Sequence, residues 1–153
     1  MPRSTIARNL GRAAVTTTAA IGVILATVSI ASAADRDGTL NDGEFGLYYN
    51  SDQKGCVFDD GQPGVAIGDG NLSDNKFISS SIYLGCAGQG QSVDNNAAAY
   101  WNRAHETIWV YTGVAGGGLE GSLPSGYAGN ASLNYKNAIT SFADSTIRNI
   151  WKG

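Results

Sequence analysis

From residue 44 onward the chain is written in short apolar or aromatic runs broken by Gly, Asn and Asp. Phe45–Tyr49, Cys56–Phe58, Val65–Ile67, Ser80–Leu84, Thr107–Thr112 and Ile139–Phe142 each read as a strand, because Val, Ile, Tyr and Trp recur at the spacing a half-buried pleated surface favours. Turns such as Gly68-Asp69-Gly70-Asn71 and Gly116-Gly117-Gly118 separate them. No segment sustains a helical period. Asn96–Trp101 reads as one helical turn, and Ala143–Trp151 as a short terminal helix. The pattern predicts an all-β domain, a sandwich or barrel.

The first 34 residues follow another logic. Arg3, Arg8 and Arg12 precede an apolar run from Ala13 to Ile30, and Ala31-Ser32-Ala33 then offers the small-x-small pattern of a signal-peptidase site. The alternative is a membrane anchor, since 18 residues approach bilayer thickness. Thr16, Thr17, Thr18, Thr27 and Ser29 dilute the run, and no basic stop-transfer cluster follows. Residues 1–33 are therefore read as a signal peptide and the product as secreted and extracellular. Residues 34–43 are expected to be a flexible mature terminus, and 44–153 a single domain.

Export changes how charge and cysteine are read. The chain after Ala33 has 7 basic and 13 acidic residues, a net charge of −6. That balance argues against nucleic acid and against anionic membranes. Cys56 and Cys86 are the only cysteines. An even pair in an exported protein predicts a disulfide, and one histidine beside one cysteine pair is not a zinc site.

An internal repeat adds detail. Tyr48–Gly55 aligns with Tyr111–Gly118 at an offset of 63, and Asn75–Ser80 aligns with Lys136–Ser141 at an offset of 61. Two landmarks in one order at nearly one offset predict a duplicated unit, about 44–105 and 106–153.

These landmarks resemble the Greek-key motif of βγ-crystallins, where an aromatic and a later Gly form a folded hairpin corner. Tyr48 with Gly55, and Tyr111 with Gly118, hold those places, while Gln53 and Gly116 replace the usual second aromatic. The chain from Glu44 to Phe142 also resembles the secreted bacterial peptidase inhibitor family thirty-six, a βγ-crystallin-like group that includes inhibitors of thermolysin-type metalloproteases. Leu47-Tyr48-Tyr49-Asn50-Ser51, Asn95–Arg103 and Trp109-Val110-Tyr111-Thr112 carry that resemblance. It implies a Greek-key sandwich of two units and a partner that is a secreted, thermolysin-like metalloprotease. The family's characterised inhibitors carry more than one disulfide, whereas this chain can form only one.

Catalysis finds little support in the residues. His105, the only histidine, reads as an exposed turn residue between the units, and no G-x-S-x-G elbow is present. Asp59-Asp60 reads as a solvated turn. The protein is therefore expected not to be an enzyme. Calcium is the one cofactor the patterns raise, through Asn75 and Ser79 in the first copy and Asn137 and Thr140 in the second. Each copy lacks one ligand residue and carries Lys76 or Lys136 in its place, and an ammonium opposes a divalent cation. No cofactor is expected on that balance. An inhibitor needs an exposed, restrained loop. Asp59–Asn75 lies inside the disulfide loop. Gly113–Asn130 is glycine-rich and expected to be mobile, with Leu119, Glu120 and Leu123 as candidates for insertion into a protease. The competing expectation is an extracellular carbohydrate- or protein-binding module, for instance one that holds cell-wall polysaccharide on Trp101, Trp109 and Trp151.

Overall fold

The computed structural model describes residues 35–80 and 85–153. The expected signal peptide, and residues 81–84 of the expected strand Ser80–Leu84, lie outside them. Among the described residues eight strands form: β1 (Phe45–Asn50), β2 (Lys54–Asp60), β3 (Gly68–Asp69), β4 (Ala99–Asn102), β5 (Ile108–Tyr111), β6 (Glu120–Leu123), β7 (Ala128–Asn130) and β8 (Ser141–Ala143). One helix, α1 (Ser145–Lys152), follows. Among the described residues no helix is long and apolar enough to cross a membrane.

The strands make two antiparallel four-stranded sheets, ordered β2-β1-β4-β7 and β3-β8-β5-β6. Each sheet takes three strands from one half of the chain and one from the other: β7 completes the first sheet and β3 the second. Each half thus needs the other to finish its sheet. Phe45 and Leu47 of β1 point inward with Cys56 and Phe58 of β2, and meet Ile108 and Val110 of β5 and Phe142 of β8. Phe142 is fully buried, 5.0 Å from Phe45 and 6.0 Å from Phe58 between ring centroids. The alternation of apolar positions along β1 and β5 is what places these side chains in one core.

The predicted disulfide is present. Cys56 and Cys86 are joined with a Cα–Cα distance of 5.1 Å and a sequence separation of 30. Cys56 is buried in β2, and its N–H donates to Ala87 O at 2.9 Å. Gly55 and Gly118, the two aligned glycines of the repeat, both adopt left-handed backbones, at φ +78° and φ +72°. A Cβ on Gly55 would lie 2.8 Å from Ala87 O, and one on Gly118 would collide with Thr112 Oγ1.

Several local expectations are corrected. The helical turn at Asn96–Trp101 is not formed. Ala98 N–H donates to Tyr48 O at 2.9 Å, and β4 then pairs with β1 and β7. Alanine's helix propensity loses to burial, since Ala97, Ala98 and Ala99 all pack inside. Val65–Ile67 is not a strand. Gln62-Pro63-Gly64-Val65 is an exposed turn closed by Val65 N–H to Gln62 O at 3.1 Å, with Gly64 at φ +78°. The chain pairs only from Gly68. Within Gly113–Asn130, expected as a mobile loop, Glu120–Leu123 pairs along β5 and Ala128–Asn130 along β4. The terminal helix forms as predicted, with Asp144 accepting from Ile147 N–H at 2.8 Å as its N-cap.

Candidate functional site

The connection between β5 and β6 is an exposed segment braced from several parts of the fold. Thr112 and Leu119 close its base reciprocally. Thr112 N–H donates to Leu119 O at 3.2 Å, and Leu119 N–H donates to Thr112 Oγ1 at 2.9 Å. Gly113 N–H donates to Gly117 O and Gly117 N–H to Val114 O, which curls the tip into a single tight turn. Ala115 sits in this turn with a left-handed backbone, φ 46° and ψ 50°. Three further parts of the fold hold the turn. Ala115 N–H donates to Gly70 O at 2.8 Å, Ser141 Oγ donates to Gly113 O at 2.6 Å, and Lys152 Nζ reaches Gly116 O at 3.1 Å. The Trp151 ring lies over Gly116 and packs edge-on against Tyr111 at 5.8 Å. Despite this bracing, Val114 is 59% and Leu119 53% exposed.

The other two candidates from this region have different places. Leu123 lies in the core, 5% exposed, and faces Ile108 across the ladder. Glu120 is held by α1: Arg148 donates to its two carboxylate oxygens at 2.8 and 3.3 Å, and Lys152 Nζ lies 3.5 Å away. The Arg148 hydrogen bond pulls the Glu120 carboxyl below its usual range. Arg148 also lies over Trp109 at 4.9 Å. Trp109 is therefore covered by Arg148 of α1, Trp151 of α1 packs on Tyr111 and Gly116, and Trp101, 39% exposed, is the tryptophan that faces outward. Arg148 and Lys152 were not among the candidates. Their spacing of four on a terminal helix was the available signal, since it places both on one face.

Asp59 and Asp60, expected in a solvated turn, are buried in β2. Asp59 accepts from Asp37 N–H at 3.0 Å and Gly38 N–H at 2.9 Å, so the expected flexible terminus is tied across the first sheet. Arg36 lies 3.5 Å from Asp60 and 3.3 Å from Asp69, and packs over the Phe58 ring. Burial pushes Asp59 up to about 6 and Asp60 up to about 7, with Asp35 adding to the second. Adjacent acids resemble a surface turn in sequence, and the segment at Asp37 and Gly38 bonded over Asp59 accounts for its depth. His105 is exposed and lies 3.9 Å from Asp42, at a turn.

The two calcium patterns are not brought together by a cation geometry. Asn75 is buried, and its amide donates to Asp69 Oδ2 at 2.8 Å. Ser79 is half-buried in the run that pairs Ile78 with Val57. Asn137 is exposed with φ 55°, and Thr140 uses its N–H on Tyr111 O. Among the described residues no group of three or more His, Cys, Asp or Glu is placed to hold a metal ion. No family model, curated protein or solved structure matches the chain.

Proposed function

We propose that the protein is a secreted, non-enzymatic βγ-crystallin-like domain that inhibits a thermolysin-like metalloprotease by presenting the braced turn 112–119 with Leu119 as its apolar anchor. The bracing with Leu119 left exposed is the observation that carries this reading. A segment already fixed on both flanks loses little conformational freedom on binding and opens slowly for cleavage. The exchange of β3 and β7 between the sheets supports a pair of Greek keys. The left-handed Gly55 and Gly118 support the resemblance in the hairpin corners. Export is supported by the disulfide, which belongs to an oxidising compartment. In this reading Leu119 enters the protease pocket, and Glu120 stays with Arg148 to hold the base of the turn rather than approaching zinc.

Leu119→Asp tests the anchor. The variant should melt at the parent temperature, because the side chain is exposed, and should lose inhibition at least tenfold. Unchanged inhibition would remove Leu119 from the contact. A second reading, a carbohydrate- or protein-binding module, is favoured by the outward Trp101, which is 39% exposed with the Arg103 guanidinium over its ring at 5.5 Å. Retention on insoluble cell-wall polysaccharide, lost in Trp101→Ala, would support it.

A further inference from the structure

The end of the β1–β2 hairpin and the β7–β8 connection enclose a polar cleft of about 200 Å³, lined by Tyr49, Asn50, Ser51, Asn96, Lys136 and Asn137. No lining residue is a carboxylate, in a domain whose net charge after Ala33 is −6. Lys136 makes no ion pair among the described residues. Its ammonium donates to Ser51 Oγ at 3.1 Å. The other polar lining groups are neutral amides and hydroxyls, beside the apolar Ala98. Asn96 spends its amide on Ser92 O at 3.0 Å and keeps its carbonyl oxygen as an acceptor. The Asn50 and Asn137 carboxamides make no hydrogen bond to the protein among the described residues.

We propose that this cleft binds a single acidic sugar residue, a pyranose bearing a carboxylate. The volume decides the size. It falls below the range of about 300–1,000 Å³ typical of drug-sized ligands, which suits a single ring. The charge decides the sign. An unpaired ammonium beside a hydroxyl and two amides supplies donors for a carboxylate. The three asparagines and Ser51 supply the paired donors and acceptors that ring hydroxyls require. Asn137 belongs to the degenerate calcium pattern of the second copy. Lys136 beside it reverses the preferred ligand from a cation to an anion. The site is independent of the turn at Leu119, which lies in a different connection.

The probe is D-glucuronate, titrated into the purified, oxidised, isotopically labelled protein and followed by amide chemical shifts, with methyl glucoside and acetate as controls. Glucuronate should bind in the millimolar range and move the amides of residues 49–51, 96–98 and 136–137. Each control alone should bind at least tenfold more weakly. Lys136→Gln should weaken glucuronate roughly tenfold and abolish its salt dependence. Asn137→Gly keeps the left-handed backbone while removing the amide, and should weaken binding severalfold. Shifts clustered elsewhere, no shifts up to 20 mM, or equal affinity for methyl glucoside would each overturn the proposal.

Discussion

The Cys56–Cys86 bridge gives the most quantitative prediction. It closes a 30-residue span between β2 and the turn following residue 84. In the chain-entropy model, a loop of this size lowers the entropy of the unfolded state by about 12 cal/mol/K, or about 3.6 kcal/mol at 25 °C. The 119 residues from Asp35 to Gly153 should unfold with an entropy near 0.25 kcal/mol/K, at about 2.1 cal/mol/K per residue. Removing the bridge should therefore lower the melting temperature by about 14 °C. Since domains of this size are stable by only about 5–15 kcal/mol, this is a large share of the total. The assay is thermal unfolding followed by circular dichroism, comparing the oxidised protein, the same protein in reductant, and the Cys56→Ala/Cys86→Ala double variant. The reduced protein and the double variant should fall together, with the double variant slightly lower because Cys56 is buried and its sulfur leaves a void. A drop below about 3 °C in both would refute the reasoning, because the span would then be held closed by other contacts in the unfolded chain.

Two further predictions concern the strap and the corner. Asp59 and Asp60 have folded values near 6 and 7, above the ordinary carboxyl value of 3.8, so the folded state binds their protons more tightly. Their contribution is complete below pH 4 and is lost as pH rises through 6 to 7. The melting temperature should accordingly be lower at pH 8 than at pH 5, and Asp60→Asn should shrink that difference; an unchanged difference contradicts the assignment. Gly118→Ala and Gly126→Ala start from similar backbones, φ +72° and +79°, but only the first meets other atoms within 4 Å. Both pay the left-handed cost of about 1–2 kcal/mol, and chemical denaturation should show a further loss for Gly118→Ala alone.

The sheets were legible where apolar alternation and tertiary burial agree. The expected strands Phe45–Tyr49 and Thr107–Thr112 carry aromatic and β-branched residues in register with the core, and form as β1 (Phe45–Asn50) and β5 (Ile108–Tyr111). Illegible pieces were those whose local signal is overridden from a distance. β4 begins in alanine and is a strand because β1 and β7 flank it. β6 and β7 are rich in glycine and small residues, Glu-Gly-Ser-Leu and Ala-Gly-Asn, and are defined by the partners that supply their hydrogen bonds. The exposed Leu119 was legible as a surface apolar residue because it lies in the turn before β6, whereas Leu123 ends β6 opposite the buried Ile108 and so belongs to the core. The bracing of the turn was not legible, since Gly70, Ser141 and Lys152 come from three separate parts of the chain. Asp59 and Asp60 show the same limit: depth is set by the strap at Asp37 and Gly38, more than twenty residues away in sequence.

The most direct measurement is a titration of the oxidised protein against a thermolysin-like metalloprotease, with a serine protease as control and the Leu119→Asp variant alongside. The account predicts inhibition of the metalloprotease that saturates at one-to-one, recovery of the inhibitor uncut, and loss of that inhibition in the variant at unchanged melting temperature. Full protease activity at micromolar protein, or cleavage between Thr112 and Leu119, would contradict it.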